Sequence, residues 1–118
     1  MSYREHRRAL RLEVSGEVIT RFVGIAEPVE LRDVGPGGFL VWSRVPIALQ
    51  SVQQVQFITG DGWTSTLTAR AVHARRVGAR GQTPLHAIGF AFVFAPGEPT
   101  EAAVSRLIDK ITAVLSFD

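Results

Sequence analysis

Val29-Glu30-Leu31-Arg32-Asp33-Val34-Gly35-Pro36-Gly37-Gly38-Phe39-Leu40-Val41-Trp42-Ser43 reads as strand, turn and strand. Val29, Leu31 and Asp33 recur with a period of two, as one face of a strand does. Gly35-Pro36-Gly37-Gly38 is a strong turn signal, because glycine reaches backbone conformations closed to other residues and proline fixes its own φ. Phe39 to Ser43 is a short apolar strand; Trp42 within it could stack on a base, but a Trp on such a strand is more often core. Val45-Pro46-Ile47 ends that strand, since proline has no N–H to give to a central ladder.

The same grammar extends in both directions. Upstream, Leu12, Val14, Gly16, Val18 and Thr20 alternate, which predicts one strand over 12–20, with Phe22 to Ile25 extending it or starting another. Residues 1–10 are polar and aperiodic and read as an arm. Downstream, Gln54 to Thr59 and Trp63 to His73 flank Gly60-Asp61-Gly62, a hairpin signal. Alternation through Trp63, Ser65, Leu67, Ala69 and Ala71 slips at Val72, which predicts a bulge or a strand end. Val77 to Pro84 carries two glycines and reads as a turn. Ile88, Phe90, Phe92 and Phe94 alternate with smaller residues, the pattern of a buried strand. Beyond Ala95-Pro96-Gly97 the period changes. Pro99, Thr100 and Glu101 suit a first helical turn, and Val104, Leu107, Ile108, Ile111 and Leu115 repeat at three and four residues.

The expected fold is therefore mainly β: a small six- to seven-stranded antiparallel barrel over 12–95. It carries an N-terminal arm at 1–11 and one amphipathic C-terminal helix at 98–117. A chain of 118 residues supports one domain with a modest core, and 46% hydrophobic with 20% charged residues is ordinary for a globular domain. With no cysteine there are no disulfides, thiolate metal sites or cysteine nucleophiles. No apolar run reaches the ~20 residues of a membrane span, so membrane insertion is not expected. The polar, Arg-rich start is followed by no apolar stretch, so no secretory signal is expected.

Charge placement says more than net charge. The thirteen basic residues include one lysine, Lys110. Arg4, Arg7, Arg8 and Arg11 crowd the N-terminus; Arg70, Arg75, Arg76 and Arg80 form a second cluster, with no acid between Asp61 and Glu98. Arginine presents a planar fork to phosphate and can lie flat on a base. Within the first cluster, Arg7-Arg8-Ala9-Leu10-Arg11 is an Arg-x-x-x-Arg motif. Its forks suit phosphate oxygens or the O6/N7 edge of guanine. The Asp33 carboxylate suits the opposite guanine edge, N1–H and N2–H, and the glycines that follow let a ring approach backbone N–H groups. Taken singly, each motif has an ordinary explanation: a solvated basic tail for the first, a turn that starts with Asp for the second.

Their order and spacing resemble the PilZ family. The likeness runs from about Glu5 to Phe94. It includes the Arg motif ahead of a strand, Asp33 and Gly38 in an Asp/Asn-x-Ser-x-x-Gly pattern, the apolar run Phe39-Leu40-Val41, and Ile88-Gly89-Phe90-Ala91-Phe92 as a closing strand. The resemblance implies a bacterial cytoplasmic receptor for cyclic di-GMP that signals by contact with a protein effector, in settings such as motility. It implies that Arg7 and Arg11 bind phosphates and guanine faces, with Arg8 beside them, that Asp33 and Gly38 line one guanine, and that Gly35 is a further ligand-binding position between them. His6, just before the Arg motif, occupies a position that bears on ligand stoichiometry. One position departs from the pattern, Gly35 standing where the family has Ser. A lost hydroxyl is worth roughly 0.5–1.5 kcal/mol, which weakens a site without removing it.

Two other readings follow from the same residues. A divergent PilZ-like adaptor would act by protein contact without the ligand. A basic barrel for single-stranded nucleic acid would need more aromatic platforms than one Tyr and a mostly core set of Phe provide, so nucleic acid is not the expected partner. Catalysis and cofactors are not expected. There is no Gly-x-Ser-x-Gly or His-Glu-x-x-His, and Lys110 is too far along the chain to make the glycine turn a P-loop. His73 and His86 lack partners at metal-ligand spacing.

Overall fold

The computed structural model describes residues 11–81, 83–94 and 100–116. Among the described residues, seven antiparallel strands form one sheet, followed by one helix: β1 (Leu12–Glu13), β2 (Val18–Phe22), β3 (Glu30–Val34), β4 (Gly38–Ser43), β5 (Val52–Thr59), β6 (Thr64–Arg80), β7 (Thr83–Phe92) and α1 (Thr100–Ser116). Spatial order is β1-β3-β4-β7-β6-β5-β2. The mainly β architecture expected from the sequence is the one observed.

Connectivity forces the sheet to curl. β1 and β2 lie on opposite edges, yet only residues 14–17 join them. Five Cα steps reach ~18 Å at full extension. Seven flat strands would hold the edges ~29 Å apart, at about 4.8 Å per gap. A half-barrel is the shape that satisfies both. Its seam is bridged once, between Thr20 and Val29. The single strand expected over 12–20 is thus two strands split by a crossing, with Gly16 at φ +100° and buried Val14 donating its N–H to the Arg32 carbonyl at 2.9 Å. β2 then ends at Phe22, and residues 23 and 24 turn rather than extend it.

The hairpin at Gly60-Asp61-Gly62 and the slip at Val72 are both as expected. β6 loses register between Ala71 and His73, which leaves Val72 as a bulge. The turn expected over Val77 to Pro84 is present but confined to its middle, at Gly81 (φ +62°) between Arg80 and Thr83. β6 pairs with β7 as far as Arg80 opposite Thr83, and Gly78 (φ +153°) serves a second bulge at Val77 rather than a reversal. The strand expected to include Phe94 stops at Phe92, and Phe94 is 50% exposed.

One core fills the concave side. Phe39 stacks on Phe90 with centroids 5.0 Å apart and meets Phe57 edge-on at 5.3 Å. Phe22 packs on the other flank of Phe90, also at 5.0 Å. Val104, Leu107 and Ile111 of α1 are buried in the same cluster, so the helical stripe joins the barrel core. Lys110 pairs with Asp61 and ties α1 to the β5–β6 turn. Lys110, the Thr59 hydroxyl and the Trp63 amide hold the Asp61 carboxyl well below the usual carboxylate range. No helix among the described residues is long and apolar enough to cross a membrane.

Thr20, beside the seam, is 1% exposed, and its Oγ1 has no hydrogen-bond partner among the described residues. Thr20→Val keeps the shape and removes the unpaired hydroxyl. The expected gain is about 1 kcal/mol, read as a Tm rise of about 4 °C by scanning calorimetry. An unchanged or lower Tm would show that the hydroxyl has a partner.

Candidate functional site

The parity of β4 sets the outer face of the half-barrel. Phe39, Val41 and Ser43 point inward and are buried, so Leu40 and Trp42 point outward. Register then lays two rows across that face. Asp33 pairs with Leu40, Leu40 with Gly89, and Gly89 with His73. Glu30 pairs with Trp42, Trp42 with Ala87, and Ala87 with Arg75. The β7 positions in both rows are small, so the outer face carries a trough between polar rims. The Gly89 position is filled from outside: a Cβ there would meet His73 Nε2 at 2.2 Å, so the imidazole lies directly over the glycine.

Arg11 reaches into this region from just before β1. Its Nη2 donates to Asp33 Oδ1 in an ion pair, and its Nη1 donates to the Gly38 carbonyl at 3.5 Å. Residues far apart in sequence therefore meet at one point. The turn that carries them is closed by the Gly35 amide, which donates to the same Gly38 carbonyl at 2.8 Å, and by the Phe92 amide, which donates to the Gly37 carbonyl at 3.0 Å. Gly38 sits so close to β7 that an added Cβ would lie 1.9 Å from the Phe90 carbonyl oxygen. Beside this cluster is a depression of about 250 Å³, lined by Arg11, Gly38, His73 and Gly89 among others. Next to it, sharing Leu40, is a wider depression of about 580 Å³ that includes Asp33, Arg32, Trp42, Ala87 and Arg75.

Of the residues singled out in the sequence, the structure gathers Arg11, Asp33, Gly35 and Gly38. Arg7 and Arg8, with the rest of the arm through residue 10, lie outside the described residues. Trp42 is not core. It stands half-buried on the outer face with the Arg32 guanidinium 4.1 Å over its ring. His73, Ala87 and Gly89 were not singled out for a site. Strand parity alone would have put Ala87 and Gly89 on the outside, but only the register shows what faces them. Among the described residues no three His, Asp or Glu side chains gather as metal ligands. Chemically, the arrangement offers one guanidinium fork, one carboxylate and a depression lined by glycines and an imidazole, a set suited to a ligand that joins an anionic group to an N–H donor edge.

Comparison with solved structures places this fold. The chain matches YcgR of Escherichia coli in complex with c-di-GMP with a TM-score of 0.65 at 17% identity, covering 91% of this chain and 46% of that one. It matches MrkH, a c-di-GMP-dependent transcription regulatory factor, at 0.63 and 10% identity, covering 87% and 49%. It matches Borreliella burgdorferi PlzA in complex with c-di-GMP at 0.60 and 11% identity, covering 98% and 56%. An uncharacterised Legionella protein matches at 0.56 and 14% identity over 94% of its own length. The chain thus spans about half the length of the three c-di-GMP-linked structures. No family model matches the sequence, and no curated protein matches it. The domain is PilZ-like in fold, in keeping with the resemblance carried by its motifs.

Proposed function

We propose that this chain is a receptor domain for cyclic di-GMP. The observation that carries the reading is the meeting of Arg11, Asp33 and Gly38 on the outer face of a PilZ-like half-barrel. The similarity to YcgR, MrkH and PlzA in fold supports it. In this reading Asp33 accepts from the N1 and N2 hydrogens of a guanine. The Arg11 fork leaves its intramolecular partners for phosphate or the O6/N7 edge. The glycines of the turn allow the ring to lie against the backbone. Segment 1–11 closes over the ligand, bringing Arg7 and Arg8 with it, and the altered surface is read by a protein effector in the bacterial cytoplasm. The chain works by binding rather than catalysis.

Isothermal titration of the chain with cyclic di-GMP tests this reading. Micromolar or tighter binding, competed by unlabelled ligand and not by cyclic di-AMP, is the expected result. No binding would overturn it.

Gly35 gives a graded check. Its φ is not positive, so no left-handed backbone bars an L residue there. Gly35→Ser supplies the hydroxyl that the PilZ pattern carries. One added hydrogen bond is worth roughly 0.5–1.5 kcal/mol, so the dissociation constant is expected to fall by about three- to tenfold. An unchanged constant would show that the ligand does not contact this position.

A further inference from the structure

The wider depression on the outer face has its own chemistry. Arg32 occupies a bulge in β3, where register shifts between Leu31 and Asp33. The bulge re-aims the side chain out of the ladder. Two contacts then fix it: the Trp42 ring 4.1 Å beneath the guanidinium, and Glu30 Oε1, which accepts from Nη1 at 3.0 Å. The side chain is still 35% exposed. A guanidinium held this way gives up little conformational freedom when a base stacks on it. Across the depression stands Arg75, exposed and, among the described residues, without an ion-pair partner. Ala87 lies between them in the same row, which leaves Arg75 and Trp42 two strand spacings apart, ~10 Å between Cα atoms. Glu13 faces the same space and is paired in register with Asp33. A carboxylate accepts from the N–H edge of guanine and not from phosphate.

We propose that this depression is a second purine subsite: one base of a bound cyclic dinucleotide stacks on the Trp42-backed Arg32 guanidinium, and Arg75 meets the adjoining phosphate. The subsite rests on the cyclic di-GMP reading above and extends it. The Arg11–Asp33 cluster takes one guanine, and the neighbouring depression, reached past Leu40, takes the other. Glu13 supplies the acceptor that favours guanine there.

The test is titration of the full chain with cyclic di-GMP for wild type, Arg32→Ala and Arg75→Gln, with tryptophan emission followed in a Trp63→Phe background. Loss of a base stack is expected to raise the dissociation constant about tenfold in Arg32→Ala. Arg75→Gln shifts it in the same direction and guards against a folding defect in the first variant. Saturation quenches Trp42 emission, and thermal melts of the free variants stay close to wild type. A merely structural Arg32–Trp42 contact would move the melt and leave the affinity alone, which overturns the subsite. Quenching that is seen in the wild type and lost in the Trp63→Phe background also overturns it. If wild type binds and Arg11→Ala does not, while Arg32→Ala binds like wild type, the subsite alone fails. If wild type does not bind, the receptor reading fails and takes the subsite with it.

Discussion

Arg11→Ala is expected to raise the dissociation constant for cyclic di-GMP at least 30-fold, because truncating one partner of a charge pair buried on binding costs about 2–5 kcal/mol. Two effects add in the same direction. The variant loses a fork that can bond bidentately to phosphate or to a guanine edge. It also exposes the Asp33 carboxylate, now without its cation, to an incoming dianion. Folding should hardly register the change. The Arg11 side chain is 43% exposed, and an exposed ion pair contributes about 0–1 kcal/mol. Affinity and stability are thus separable in this one variant, which makes it a clean probe of the site. Arg11→Lys keeps the charge and loses the fork, so its affinity should fall between the two. Parallel titrations and thermal melts read all three proteins. Wild-type affinity in Arg11→Ala would mean that the ligand binds elsewhere on the barrel.

Local signals in this chain were legible because turn chemistry and strand period act over a few residues. The β3–β4 turn, the Gly60-Asp61-Gly62 hairpin, the Val72 bulge and the helical stripe all follow from neighbours in sequence. The seam crossing did not. Alternation continues from Leu12 through Thr20 as though one strand ran there, and what splits it is pairing with two distant strands, β3 and β5. Gly78 misled for a related reason. A positive-φ glycine serves a bulge as well as a turn, and the long β6–β7 ladder decides between them. At the site, the meeting of Arg11, Asp33 and Gly38 was readable as a motif. Trp42 was misplaced because its apolar character outweighed its parity. Inward Phe39 and Val41 already require an outward Trp42. The cation over it comes from a bulge at Arg32 that no local pattern announces.

Gly38→Ala carries the largest stability effect, and the reason is geometric. A Cβ at this position would lie 1.9 Å from the Phe90 carbonyl oxygen, 3.0 Å from the Phe90 carbonyl carbon and 3.1 Å from Ala91 Cα. All three are backbone atoms, so no side-chain rotation relieves the clash. β4 and β7 must move apart where Gly38 pairs with Ala91, one step from the Phe39–Phe90 stack. Forcing extra atoms into a packed interior typically costs about 1–3 kcal/mol, and a clash with rigid backbone belongs at the upper end, about 3 kcal/mol. In a domain of this size that corresponds to a Tm fall of about 10 °C. The neighbouring glycine is the control. Gly37 has nothing within 4 Å of an added Cβ and no positive φ, so Gly37→Ala should stay within about 0.5 kcal/mol of wild type. Urea unfolding of both variants without ligand makes the comparison. A large loss in Gly38→Ala alone assigns the last glycine of the motif to the sheet. Glycine at this position would then be a folding requirement that holds whether or not the ligand is present. Equal stability of the two variants would overturn the close approach of β4 to β7. The two ends of the turn would then divide the labour: Gly38 fixes where the strands meet, and Gly35 is free to tune how tightly the turn holds what lies on it.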